Sequence, residues 1–234
     1  MKNLFRGKVV GATLSTLFLA AIAGCGSDDA RRREIAQIEG EEAAKKQVET
    51  ENRNRDQRAK AMEEDLAQRD NFIDALTGDF VGTYTRIDSI YGEQKWEVHM
   101  NLTSSLPTYK PPQRVRSPEE IAVDLAKIAI RPTVKETNLD SGNTFGCDYG
   151  DVLPDYNYGM FQAKASSCNK QYFVSLALPD TTDENPIPKD SQIKMARALM
   201  SGALLRVDEL TVIITSNFDR EKRIVQLKRK LPNE

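Results

Sequence analysis

Three hydropathy patterns succeed one another along the chain. From Val9 to Gly24 every position is apolar or small, with no charge. From Asp28 to Asp74 apolar residues are sparse, and acids precede bases by four positions at Glu41/Lys45, Glu42/Lys46, Glu49/Arg53, Glu51/Arg55, Asp56/Lys60 and Asp65/Arg69. From Gly78 onward the chain turns to strict alternation. Trp96, Val98, Met100 and Leu102 are interleaved with Glu97, His99, Asn101 and Thr103, which predicts a half-buried antiparallel strand.

The middle pattern predicts a helix. An acid four residues before a base is the favourable orientation, at about 0.2–0.5 kcal/mol per pair. No proline interrupts the stretch, and Gly40 is its only glycine. At about 1.5 Å per residue the helix would reach on the order of 70 Å if continuous. Met62, Leu66, Ile73 and Leu76 fit the four–three spacing of a coiled-coil seam, and self-association through this stalk is one reading. Arg69 falls on the same seam, and Ile35, Ile38 and Val48 do not extend it into heptads. A solvated spacer or a disordered tether are the others. Phe72–Leu76 is its apolar end, expected to dock on the β-rich part of the chain, and Thr77-Gly78 is the stop.

Gly78–Glu234 reads as one β-rich module. Strands are expected at Phe80–Tyr91 (turning at Gly92), at Tyr158–Ala165, through Tyr172, Val174, Leu176 and Leu178, at Leu210–Thr215 and at Arg223–Lys228. Ser117-Pro118-Glu119-Glu120 predicts a helix start, with an N-cap, a proline at the first helical position and a glutamate at the third. Ile121, Leu125 and Ile128 continue it, and Arg131-Pro132 ends it. Ser191–Leu205 carries both periods and reads more readily as strand, or as a helix giving way to strand near Ser201-Gly202. Proline-bearing loops are expected at Leu106–Pro112 and Pro179–Pro188. The fold class is therefore α+β: a long charged helix, then an antiparallel barrel or sandwich with one or two short helices.

Composition narrows the function classes. The 234 residues carry a net charge of −2, and the first 24 hold three bases and no acid, so the remainder is more acidic still. Nucleic-acid affinity rests mainly on phosphate neutralisation, so a nucleic-acid partner is not expected. One histidine and three cysteines leave little for a metal cage or a histidine-based triad. No phosphate-cradling GxxxxGK[ST], dinucleotide GxGxxG or GxSxG elbow occurs.

The first residues carry a further pattern. Lys2, Arg6 and Lys8 precede the 16-residue apolar run, shorter than the roughly 20 residues that span a bilayer, as in an export leader. The run ends in Ile22-Ala23-Gly24-Cys25, which resembles the lipobox of bacterial lipoproteins. The resemblance implies cleavage before Cys25 of a leader over residues 1–24. It also implies a diacylglycerol thioether on Cys25 and an N-acyl chain such as palmitate on the new amine. One acyl chain anchors only marginally, whereas two or three hold firmly. Gly26 stands where lipoproteins kept at the inner membrane often have aspartate, so the resemblance implies the outer membrane. An ordinary secretory cleavage region is the alternative. Gly78–Tyr84 resembles the opening strand of lipocalin-like barrels, with Tyr84 where that family has tryptophan. It covers one strand and implies no ligand.

With Cys25 acylated, Cys147 and Cys168 form an even pair in an oxidising compartment, where a disulfide is expected. Closing a loop of about 20 residues would contribute roughly 3 kcal/mol. His99 is a candidate base on the polar face of its strand, with exposure as the ordinary reading. Asp148, Asp151, Asp155 and Asn157 offer oxygens to calcium, although EF-hand spacing is absent and turn chemistry accounts for them. Tyr149, Tyr156 and Tyr158, with Phe161 nearby, could line a ligand pocket or partner surface, or cover the core. These features leave three functions. The leading one is a non-enzymatic, lipid-anchored envelope protein whose β-rich module binds a partner or supports the envelope. The second is a lipocalin-like carrier of a small apolar ligand. The third is a carboxylate-dependent envelope enzyme. No cofactor is expected beyond the covalent lipid.

Overall fold

The structure is a computed structural model and describes residues 28–106, 114–165, 168–177, 189–216 and 222–231. The leader, Cys25 and the expected proline-bearing loops, apart from Leu106, lie outside these residues. The chain divides at Glu51/Asn52 into two compact units.

Helix α1 spans Asp28–Leu76. The expected Asp65/Arg69 pair is formed at 2.9 Å, and Gln37→Glu41 and Gln47→Glu51 amide–carboxylate bonds use the same spacing. Within the first unit Ile35, Ile38 and Val48 are exposed. In the second unit the apolar seam turns inward. Leu66, Phe72, Ile73 and Leu76 are almost completely buried in the module's core.

Among the described residues, eight strands form one antiparallel sheet: β1 (Gly78–Asp88), β2 (Gly92–Ser104), β3 (Ile130–Asn138), β4 (Thr144–Asp148), β5 (Met160–Ala163), β6 (Lys170–Ser175), β7 (Glu209–Ser216) and β8 (Lys222–Arg229). Their order is β4-β3-β2-β1-β8-β7-β6-β5, so the last strand closes back on the first. The sheet curls into a half-barrel, and the expected α+β class is what the chain adopts. Register sets the inner face. Phe80 pairs with Met100, Tyr84 with Trp96 and Val98 with Glu136, while Val212 pairs with Val225 and Tyr172 with Ile214. A side-chain period of two then turns this whole set to the core.

β3 and β4 escape the sequence pattern. In β3 the inward positions are Ile130, Pro132, Val134, Glu136 and Asn138, so proline and polar residues break the apolar alternation. Two short helices accompany the sheet among the described residues. α2 (Pro118–Leu125) has the expected capping box, with Ser117 Oγ accepting from Glu120 N and Glu120 accepting from Ser117 N. α3 (Asp190–Met200) corrects the preference for strand in that segment. Gln192, Ala196 and Leu199 are buried at a helical period, and that face outweighs the local alternation. Gly202, at φ 71°, supplies the left-handed conformation that ends it.

Candidate functional site

The structure brings some of the singled-out residues together and separates others. Cys147 on β4 and Cys168, just before β6, meet at disulfide distance with Cα atoms 6.2 Å apart, inside the range a disulfide spans. They tie the sheet's edge strand β4 to the β5–β6 connection. His99 Nε2 lies 3.3 Å from Asp79 Oδ1 on the outer face of β1–β2, half exposed. Asp148 and Asp155 turn their carboxylates onto local N–H groups, those of Gly150 and of Asn157 and Tyr158. Asp151 pairs with Arg131 at 3.1 Å. The oxygen-rich run is thus turn and rim chemistry, and no metal-holding cluster of His, Cys, Asp or Glu occurs among the described residues.

Inside the half-barrel lies a cluster that the sequence hid. Glu136 of β3 is fully buried. Its carboxylate accepts from Tyr84 Oη of β1 at 2.9 Å and from the Tyr172 phenol of β6, and it pairs with the Lys170 ammonium. Lys170 Nζ also sits 5.2 Å from the Trp96 ring centroid and 5.4 Å from that of Phe145. Tyr149 donates to the Lys170 carbonyl at 3.1 Å and packs edge-on against Tyr172. Burial, reinforced by the Glu136 charge, pushes the phenols of Tyr84, Tyr149 and Tyr172 well above the usual tyrosine value. A buried carboxylate needs such a shell, because an unpaired one costs far more than its neighbours can return. The only sequence signal for it was a glutamate at an inward position of a strand that was itself obscured.

Tyr149 therefore belongs to the core, while Tyr156 and Tyr158 wall an open cavity of about 520 Å³ between the end of α1, the 155–160 turn and α3. On α3, Ile193, Arg197 and Met200 are spaced by four and three residues, so they share one helix face, beside the buried face. The turn is held on several sides. Gln192 Nε2 donates to the Tyr158 carbonyl at 2.7 Å and to Ser175 Oγ at 2.8 Å. Tyr156 Oη donates to the Ile128 carbonyl at 3.2 Å, with Phe72 edge-on against its ring and Arg69 stacked 5.0 Å from its centroid. Burial pushes the Tyr156 phenol up to about 12, with Arg69 opposing. Gly159, at φ 62°, holds a left-handed conformation that favours glycine, and a Cβ there would meet the end of the Leu176 side chain at 2.2 Å. Asn71 Nδ2 donates to the Met200 carbonyl at 3.3 Å, joining α1 to α3.

No protein-family model, curated protein or solved structure gives a match to the chain. No helix among the described residues is long and apolar enough to cross a membrane.

Proposed function

We propose that the protein is a bacterial lipoprotein of the outer membrane, held by acyl chains on Cys25. Its β-rich module acts without catalysis, by binding a partner at its surface or supporting the envelope. The observation that carries this reading is the charge-free run ending in Ile22-Ala23-Gly24-Cys25 behind a basic start. Acylation at that thiol would tether everything downstream to a bilayer. The packing of the module supports recognition at the surface rather than inside the sheet. Phe80, Met100, Val212, Leu227 and the end of α1 occupy the inner face, each almost completely buried.

The test is intact-mass analysis with metabolic fatty-acid labelling. The wild-type protein should carry a diacylglycerol and an N-acyl chain on Cys25. Cys25→Ser should lose all label and accumulate as precursor; persistent label in that variant rejects the anchor. A carrier of a small ligand is the second reading, favoured by the cavity beside Tyr156 and Tyr158. Native mass spectrometry of gently extracted protein checks it: a co-purifying small molecule supports it, and bare protein counts against it.

A further inference from the structure

The cavity beside α3 has a lining of uneven chemistry. Tyr156, Tyr158, Ile193 and Met200 supply rings and aliphatic surface. Gln68, Asn157 and Ser201 supply amides and a hydroxyl. Arg197 supplies one full positive charge, and no carboxylate lines the cavity among the described residues. The basic groups nearby are in different states. Arg69 is engaged with Asp65 and the Tyr156 ring. Arg197 is exposed to solvent at the cavity wall, with no hydrogen-bonding or ionic partner for its guanidinium among the described residues, while its helix stands fixed by the Gln192 and Asn71 contacts.

An arginine fork matches the geometry of carboxylate and phosphate. A wall built before the ligand arrives avoids the entropy of ordering it on binding. Aromatic faces beside a single cation accept a flat body that carries one anionic group. We propose that this cavity binds a small oxyanion ligand, a carboxylate or phosphate monoester on a planar or short aliphatic body. Arg197 pairs with the oxyanion, and Tyr158, Ile193 and Met200 hold the body. This deepens the reading of the module as a binding device and differs from the carrier reading, in which the ligand is wholly apolar.

Fluorine NMR tests it on the full acylated protein in lipid nanodiscs, with empty nanodiscs as reference. The probes are 4-fluorobenzoate, 4-fluorophenyl phosphate and the neutral 4-fluorobenzamide. The two anions should bind about tenfold or more tighter than the amide, the difference a charge-assisted hydrogen bond supplies. Arg197→Gln should erase that preference, and Arg197→Lys should restore part of it. Tyr158→Ala should weaken anions and amide alike. Benzoate stronger than phosphate, or the reverse, assigns the anion class. Equal binding of anions and amide, an undiminished preference in Arg197→Gln, or no binding of any probe overturns the proposal. Unchanged thermal melting of each variant keeps these outcomes separate from misfolding. The mass of the Cys25 peptide reads the anchor independently, so a protein that lacks lipid but prefers the anions would refute the anchor and leave the cavity assignment standing.

Discussion

Arg229, near the end of the last strand, donates from Nη2 to the main-chain carbonyl of Ala75 at 2.7 Å, across 154 residues of sequence. The same guanidinium donates to Val207 O at 2.6 Å and to Thr77 O at 2.5 Å, and stacks 4.6 Å from the Phe80 ring centroid. Helix α1 has no basic residue in its last turn. The Ala75 carbonyl and the negative end of the helix dipole are therefore met from β8, while the Ile73 and Asp74 carbonyls accept from Thr77 N. Arg229→Met keeps the stem and removes the fork, and should cost about 2–3 kcal/mol in urea unfolding. Arg229→Lys should recover only part of that, because an ammonium cannot reach three carbonyls in one plane.

Glu136 makes a second prediction, whose size depends on whether one charge or both are removed. Glu136→Ala leaves Lys170 without its carboxylate and two phenols without their acceptor, and should cost about 3–5 kcal/mol. Glu136→Leu combined with Lys170→Met should recover the part of that loss owed to the unpaired ammonium, because neither ion must then be desolvated, while the Tyr84 and Tyr172 phenols still lack their acceptor. Denaturant midpoints of the single and double variants decide this. If the double variant falls as far as Glu136→Ala, the cluster stabilises beyond simple pairing.

The module should lose stability in alkali before its surface charges explain it. Folding holds the phenols of Tyr84, Tyr149, Tyr156 and Tyr172 protonated to higher pH than in the unfolded chain, which releases these protons near 10. Above that pH the unfolded state binds fewer protons than the folded one, so stability declines as pH rises. It is whole below about pH 10 and lost progressively above it, through the Tyr156 value of about 12. Phenolate absorbance of these four tyrosines should appear together with unfolding. A smooth titration in the folded protein would contradict their burial.

Cys147 and Cys168 should show no free thiol in unreduced, denatured protein, and two after reduction. Their separation of 21 residues sets a loop whose closure contributes about 3 kcal/mol, so reduction should lower the denaturant midpoint accordingly. Two reactive thiols before reduction would remove the bond.

The start of α1 and its end should behave differently on truncation. A chain beginning at Asn52 retains Ala59, Leu66, Phe72 and Leu76 and should melt as the full chain does. A chain beginning at Gly78 opens the core and should fail to fold cooperatively. Phe72→Ala in the full chain should cost about 3–5 kcal/mol by leaving a cavity beside Tyr156. Circular dichroism and calorimetry of these variants check all three.

Local chemistry made part of this architecture legible. The i,i+4 charges specify a helix without knowledge of what surrounds it. Alternation at Trp96–Leu102 and the β-branched run at Leu210–Thr215 specify strands, and Ser117-Pro118 marks a helix start, because each signal is complete within a few residues. The pairing of Cys147 with Cys168 came from there being two such thiols downstream of Cys25. Tertiary structure alone decided the rest. β3 was obscured because Pro132 and Glu136 occupy inward positions that pattern reading reserves for apolar residues, and only the approach of Tyr84, Tyr172 and Lys170 makes a glutamate tenable there. α3 became a helix because burial of Gln192, Ala196 and Leu199 outweighs the local alternation. Tyr149, neighbour in sequence to Tyr156 and Tyr158, parted from them into the core, and Arg197 joined the other two from a distant helix. Periodicity records which face of an element is apolar. Which element covers that face, and which charge meets which, depends on contacts between residues far apart in the chain.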